Sequence, residues 1–251
     1  MRDDVNLVVG DNYAEFARQD GVLTLSSALE RVREPAADLH LVMGLGVTAS
    51  QVTELFDRAP SGVTIARTSE PAPMQLTHKH EQQNVLISQP VRVSPNKYQA
   101  ELLLDDSLDR LSDHVTGLHL GGMLLVEAVR QFGTAVLECE YGTPEGRLGL
   151  LLSTLNVCFT SFAFPLPTKL TLTLEEDRTG TRGGQVAVRL EVVVAQASVS
   201  VAEAEIKASI MADRALFHAI EGKRARTALQ KTRALYSAAL CAEEATSASA
   251  E

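Results

Sequence analysis

The chain contains no tryptophan, and aromatic residues make up only 4% of its 251 residues. A hydrophobic fraction of 45% still supplies a core, which must be built mainly from aliphatic side chains. No stretch reaches the roughly 18 to 20 consecutive apolar residues that span a bilayer. We therefore expect a globular protein without a membrane partner.

Cysteine is also scarce. Cys139, Cys158 and Cys241 are odd in number and widely separated, so they match neither a disulfide framework nor a metal site. The N-terminal sequence lacks the features of a signal peptide. These absences predict a reduced, cytoplasmic protein with no metal ion and no cofactor.

Basic residues are in the minority, with 23 Lys and Arg against 32 Asp and Glu, for a net charge of -9. A chain of this charge repels the phosphate backbone of nucleic acids. We expect no nucleic-acid partner.

Residues 1–68 predict a small α/β segment with a parallel sheet, because short apolar runs alternate with short amphipathic ones. Ser26 is expected to cap a helix over Ala28–Arg33, and Thr48 a helix over Ser50–Arg58. The predicted strands are Asn6–Val9, Val22–Leu25, Leu39–Met43 and Val63–Ala66.

Two glycines, Gly44 and Gly46, follow the third of these strands. Glycines at this place either cradle a phosphate at a helix N-terminus or allow tight packing and turns. The segment lacks the third glycine and the lysine of the phosphate-binding fingerprints, which favours turns.

A polar, proline-containing linker over residues 69–75 is the best domain boundary in the chain. Beyond it the pattern changes to one long helix and several long strands. A C-terminal helix over 213–245 carries basic residues and is either a solvated helix or a docking surface for an acidic partner. The predicted strands are Asn84–Val93, Tyr98–Leu104, Leu148–Phe162, Lys169–Leu174, Gln185–Val194 and Ser198–Met211.

The long helix lies within residues 112–141 and is apolar around most of its circumference, which predicts that it is buried. Glu127, Arg130 and Gln131 nevertheless lie in its first turns, and Glu127 is one helical turn from both of the others. Charges inside an apolar helix are costly unless they are paired or used. These residues either form a buried ion pair or belong to a site.

The run DHVTGLHLGGMLLVEAVRQ, residues 113–131, resembles the signature of the A-factor biosynthesis (AfsA-like) hotdog family. Thr77-His78-Lys79 resembles the short basic element that precedes the first hotdog strand of that family. More distantly, residues 114–127 resemble the pattern of 3-hydroxyacyl-carrier-protein dehydratases. The likeness covers roughly residues 76–212.

The resemblance implies an α+β fold: a single hotdog, in which an antiparallel sheet wraps one long helix, after a small α/β segment and before a C-terminal helix. Proteins of the A-factor type usually carry two hotdog repeats, and this chain has room for one. Gly121 also stands where that family commonly has proline. A single hotdog is therefore expected to pair into a homodimer with sites between its subunits.

The resemblance also implies a site at the N-terminus of the central helix, where free amides and the helix dipole stabilise an oxyanion. We expect burial to favour the protonated form of the glutamate and to raise its pKa towards the working range. The two histidines stay alternatives for the base. The candidate catalytic residues are Glu127, His119 and His114, and the candidate substrate-binding residues are Arg130, Gln131, Gly122, Met123, His78 and Lys79.

Three functions fit this pattern. The first, implied by the resemblance, is transfer of a 3-oxoacyl group from acyl-carrier protein or coenzyme A to a hydroxyl acceptor, dihydroxyacetone phosphate in the resembled family, on the way to γ-butyrolactones or other secondary metabolites. The second is a dehydratase or thioesterase, which needs no cationic site. The third is a hotdog without catalysis that binds an acyl chain or a partner protein.

Overall fold

The computed structural model describes residues 5–33, 39–66, 69–104, 116–143, 147–177 and 185–248. The N-terminal part forms a four-stranded sheet in the order β2-β1-β3-β4, in which all neighbouring strands are parallel. The predicted parallel sheet is confirmed. Its elements are β1 (Val5–Val9), β2 (Val22–Thr24), α1 (Leu25–Arg31), β3 (His40–Met43), α2 (Ala49–Arg58) and β4 (Thr64–Ala66).

The helix caps of this part follow the prediction in one case and depart from it in the other. Thr48 caps α2 through a capping box with Gln51, whose backbone N–H donates to the Thr48 hydroxyl at 3.2 Å. The expected cap Ser26 is wrong, because α1 begins earlier and is capped by Thr24. Ser26 instead donates its N–H and hydroxyl to the carboxylate of Asp11, at 3.1 and 2.8 Å.

The larger part is a six-stranded antiparallel sheet in the order β5-β6-β8-β9-β10-β7, with one long helix, α4, against it. This arrangement confirms the predicted single hotdog, and the predicted C-terminal helix is present as α5. The elements are α3 (Met74–Thr77), β5 (Val91–Ser94), β6 (Lys97–Glu101), α4 (Gly122–Tyr141), β7 (Gly149–Phe159), β8 (Thr168–Asp177), β9 (Gln185–Gln196), β10 (Val199–Met211) and α5 (Arg214–Ala248).

The central helix α4 is buried because its apolar residues recur at helical spacing and face the sheet. Leu125, Val129, Phe132 and Val136 are all buried. The helix packs closely on the sheet at Gly133, and a Cβ there would lie 2.9 Å from a methyl group of Leu190. Close packing of the helix on the sheet therefore depends on a residue without a side chain.

The α/β segment shares a hydrophobic core with the hotdog, since Val9, Tyr13 and Leu45 belong to the same buried cluster as α4. Backbone hydrogen bonds join the two parts, including one from the Leu45 N–H to the Pro165 carbonyl at 3.1 Å. Gly44 has no room for a Cβ against Pro165 and serves close packing, whereas Gly46 has a positive φ (86°) that suits a turn.

Part of the predicted linker is also packed, as Ala72 is fully buried and donates its N–H to the Ile87 carbonyl at 2.9 Å. The domain boundaries drawn from the sequence stay predictions. Across the described residues, no helix is both long and apolar enough to cross a membrane.

We predict that Gly133→Val destabilises the protein by about 1–3 kcal/mol, because the new methyl groups collide with the sheet. The matched control is Gly222→Val in α5, where a Cβ meets only Arg226 at 3.5 Å, and the expected change is under ~0.5 kcal/mol. Urea unfolding of both variants measures the difference. Equal stability of the two would contradict the close approach at Gly133.

Candidate functional site

The site is built around the start of α4. Gly121 precedes the helix and has no side chain to cap it, and the backbone N–H groups of Gly122 and Met123 have no acceptor among the described residues. The Phe159 ring packs directly on Gly122. Two free donors at the positive end of a twenty-residue helix are therefore available to a carbonyl or an oxyanion.

An ion cluster occupies the next turns of the helix. Glu127 accepts two hydrogen bonds from Arg130, each 2.8 Å long, in a bidentate pair. Lys79, which follows α3, lies 2.6 Å from the same carboxylate, and Gln131 donates to it at 3.1 Å. One carboxylate thus holds two cations, and the cluster carries a net charge of +1.

These contacts overturn the expected ionisation of Glu127. Burial raises the pKa of this carboxyl, but the hydrogen bonds from Arg130, Lys79 and Gln131 together outweigh burial and lower the pKa to about 2. Glu127 is therefore ionised at neutral pH. The expectation of a raised pKa is wrong because the sequence does not show how many donors converge on the group.

Gln131 is fully buried, and its side-chain amide already has partners. Its Oε1 accepts from the Leu86 N–H at 2.9 Å, and its Nε2 donates to the Asn84 carbonyl at 2.9 Å. This geometry therefore does not support the expected direct contact of Gln131 with a substrate. Gln131 instead fastens the segment before β5 to the helix and orients Glu127.

The adjacent residues His78 and Lys79 point to opposite ends of the helix. His78 adopts a left-handed conformation (φ 56°) at the end of α3, and its Nε2 lies 2.5 Å from Glu138. Glu138 is eleven residues beyond Glu127, or about 16 Å along the helix. Only Lys79 of this predicted pair belongs to the cluster at Glu127, and His78 lies outside it.

His119 lies in the loop just before α4. Its Nδ1 is 3.1 Å from the Thr116 hydroxyl, and its ring contacts Phe162 edge-on at 5.1 Å. Within the described residues it makes no hydrogen bond to Glu127, so these two candidate catalytic side chains are not directly paired. His114, the other predicted histidine, lies outside the described residues.

Apolar side chains surround the start of the helix and face solvent. Met123 is 65% exposed and Phe162 is 67% exposed, and Phe159 and Leu118 are exposed beside them. A large exposed apolar patch is typical of a binding surface. Here it leaves an apolar surface open to a ligand beside the free amides of the helix start.

The α/β segment holds the histidine loop, a role that the sequence did not reveal. The Phe16 N–H donates to the Gly117 carbonyl at 3.0 Å, and the Phe16 ring stacks on Phe164 at 5.7 Å. The Leu120 N–H donates to the Ala163 carbonyl at 2.8 Å. The loop that carries His119 is therefore fixed on both sides.

Among the described residues, no cluster of three or more His, Cys, Asp or Glu is suited to a metal ion.

A family model described as the A-factor biosynthesis hotdog domain matches residues 62–212, more than half of the chain. The match contains the central helix, the ion cluster and all six strands of the antiparallel sheet. None of the curated proteins matches the chain.

Several solved structures are similar at low identity. A candidate thioesterase from Shewanella oneidensis is 9% identical with a TM-score of 0.38, covering 50% of this chain and 83% of its own. A mutant thioesterase from Pseudomonas aeruginosa is 11% identical with a TM-score of 0.34, covering 50% and 81%. An uncharacterized protein from Pyrococcus horikoshii is 17% identical with a TM-score of 0.36, covering 59% and 98%.

We predict that Glu127→Gln destabilises the protein by about 1–3 kcal/mol at pH 7, since hydrogen bonds to a charged acceptor are lost. A pKa lowered to about 2 means that the carboxylate stabilises the fold above its ordinary pKa and loses this effect as the pH falls towards 2. The difference between wild type and variant therefore shrinks from pH 6 to about pH 2.

Urea unfolding at several pH values measures this difference. The control is Glu54→Gln, which removes the exposed ion pair of Glu54 with Arg58 and should change stability by less than ~0.5 kcal/mol at any pH. A difference for Glu127→Gln that stays constant down to low pH would show that the carboxylate is not held ionised.

Proposed function

Because the chain belongs to the A-factor biosynthesis hotdog family, we propose that it is a cytoplasmic bacterial acyltransferase. It would transfer a 3-oxoacyl group from an acyl-carrier protein or coenzyme A thioester to a hydroxyl acceptor. In the resembled family the acceptor is dihydroxyacetone phosphate, and the product leads to γ-butyrolactones. The observation that carries the proposal is the cluster of Lys79, Glu127 and Arg130 beside the start of α4.

The thioester carbonyl would bind at the start of the helix. The free N–H groups of Gly122 and Met123 would donate to its oxygen, and the helix dipole favours the negative charge that develops there. The exposed side chains of Met123 and Phe162 would contact the acyl chain.

The acceptor phosphate would bind to the two cations. Arg130 uses Nε and Nη2 on Glu127, and among the described residues its Nη1 has no acceptor, so it could bind a further one. Lys79 supplies an ammonium with three donors, and the net charge of +1 attracts an anion. Glu127 lies five residues after Gly122, or about 7 Å along the helix, so both substrates fit beside one another.

A competing phosphate would also change the state of Glu127. As Arg130 and Lys79 turn to the phosphate, the carboxylate loses donors, and its pKa moves back towards the ordinary value. Glu127 would then accept the proton of the attacking hydroxyl. The new C–O bond forms as the C–S bond breaks, and the thiolate leaves and takes up a proton.

We predict that purified protein, incubated with a 3-oxoacyl carrier-protein thioester and dihydroxyacetone phosphate, forms the phosphate ester. Glu127→Gln should lower the rate about 100-fold or more, because the base is lost. Arg130→Gln should raise the KM for the acceptor at least about tenfold, since a charged contact to phosphate is removed. Mass spectrometry of the product measures the ester formed by wild type, the rate of Glu127→Gln and the KM of Arg130→Gln.

The control is Glu54→Gln, which is expected to keep full activity, and circular dichroism verifies the fold of each variant. Hydrolysis of the thioester, or loss of water from a 3-hydroxyacyl thioester, without ester formation would identify a thioesterase or dehydratase instead. No turnover of any thioester by folded protein would point to a hotdog that only binds.

We also propose that the chain forms a homodimer through β7. This strand is at the edge of the six-stranded sheet, is eleven residues long, and contains no charged residue and no proline. Natural proteins protect such edges, because an uncharged open strand pairs with other chains. Exposed Leu151, Leu152 and Phe159 strengthen the argument. Pairing with the same strand of a second copy covers this edge.

We predict that Leu152→Glu on β7 converts the dimer to a monomer, because it places a charge in the paired edge. The matched control is Val91→Glu on β5, the opposite edge strand, where the side chain is 60% exposed. This variant should remain a dimer. Size-exclusion chromatography with light scattering measures the mass of each, and a monomeric wild type would contradict the proposal.

A further inference from the structure

The C-terminal helix α5 is largely exposed and carries charge opposite to that of the chain. Every described side chain from residue 223 to 237 is exposed. Residues 214–237 contain six Lys and Arg and one acidic residue, Glu221, which is a net charge of +5. Because the whole chain carries -9, the remainder carries -14. An acidic partner is repelled by the rest of the protein and attracted to this helix.

The distribution of apolar residues on α5 argues against two other partners, a membrane surface and a second copy of the helix in a coiled coil. Leu216 and Leu229 are thirteen positions apart and so lie about 140° from each other around the helix. A helix that lies in a membrane surface gathers its apolar residues on one side. A coiled coil with a second copy needs an apolar residue every 3.5 positions, whereas Lys223 and Thr227 follow Ile220 at that spacing.

Beyond Arg214, the five cations of α5 fall into two groups. Lys223, Arg224 and Lys231 lie on one side, where they line a shallow groove together with Ile220, Thr227 and Ala228. Arg226 and Arg233 are seven residues apart on a neighbouring face of the helix and do not line this groove. We name the residues of the groove the basic face.

We propose that the basic face of α5 docks an acidic carrier protein that bears the acyl thioester. The inference rests on the proposed function and deepens it, since it selects carrier protein over coenzyme A as the donor. Charge complementarity selects this partner: a small acidic protein matches the cations of the groove, and Ile220 and Ala228 supply apolar contact between them.

The position of α5 further assigns the carrier to the site of the partner subunit. The Phe217 ring packs on Gly149 at the first residue of β7, whereas Phe159, the last residue of β7, packs on Gly122. These two ends are about 34 Å apart in one chain. When two copies of β7 pair antiparallel, the start of one strand lies beside the end of the other. The first turn of α5 then lies beside the site of the second copy.

The first test compares Lys223→Glu/Lys231→Glu with the matched double variant Arg226→Glu/Arg233→Glu, which changes the charge of the same helix equally on its neighbouring face. Each full-length protein is assayed with an acidic acyl-carrier-protein thioester and with the uncharged acyl-pantetheine thioester. Variation of the basic face should raise the KM for the carrier protein at least about tenfold. The pantetheine rate and the matched control should stay within about twofold of wild type.

The outcomes separate this inference from the proposed function. If the KM for the carrier protein is unchanged, or rises equally in both double variants, the basic face is not the docking site. Turnover of acyl-pantetheine would still support the transferase in that case. If no thioester is turned over, the proposed function is wrong. Calorimetry with the non-acylated carrier protein then measures binding to the basic face independently of activity. Tighter binding of duplex DNA than of the carrier protein at the same salt concentration also overturns docking of a carrier protein at the basic face.

The second test mixes two proteins that are each impaired in carrier-dependent activity, at a carrier concentration below the KM of the second. One carries Glu127→Gln and an intact basic face, and the other carries Lys223→Glu/Lys231→Glu and an intact site. If α5 serves the site of the partner subunit, the mixed dimer pairs an intact face with an intact site and regains carrier-dependent activity. Activity no greater than the sum of the two separate proteins overturns the assignment to the partner subunit.

Discussion

The rest of the structure depends on enclosing one helix that is apolar on almost every side. The sheet covers one side of α4, where Phe132 and Val136 are buried. The other side is covered by α3 and the segment before β5, which Gln131 fastens through two hydrogen bonds to the backbone. A polar residue is tolerated there only because all its bonds are made. The ion cluster at Glu127 forms at the edge of this cover, where Lys79 reaches the carboxylate from outside the helix and Arg130 pairs with it from the next turn.

Much of this arrangement could be predicted from local patterns. The spacing of apolar residues identified α4, and the strict alternation of Leu170, Leu172 and Leu174 identified β8, because both periods depend only on neighbouring residues. The pairing of Glu127 with Arg130 was one of the two interpretations offered by their spacing of three. The structure forms this pair, and the residues also lie next to the free donors of the helix start, so pairing and use do not exclude one another.

The features that escaped prediction depend on residues distant in sequence. Lys79 reaches Glu127 from a different element, and the pKa of the carboxyl falls because of that added donor and Arg130. His78 turns away because its backbone is left-handed, which a His-Lys pair does not reveal. Ser26 looked like a helix cap, yet the carboxylate of Asp11 binds it. In each case, the residue that determines the observed contact is distant in sequence, and no local pattern indicates that the two residues meet.

The α/β segment gains a physical role from the same reasoning. It holds the loop of His119 through the hydrogen bond from the Phe16 N–H to the Gly117 carbonyl, so His119 and the helix start are fixed by different parts of the chain. The carboxylate is kept ionised and occupied by the same two cations that an acceptor phosphate would claim. Under the proposed reaction, Glu127 is therefore a weak base without the acceptor and a stronger one with it. Such coupling disfavours hydrolysis of the thioester by water, because water does not remove Arg130 or Lys79 from the carboxylate.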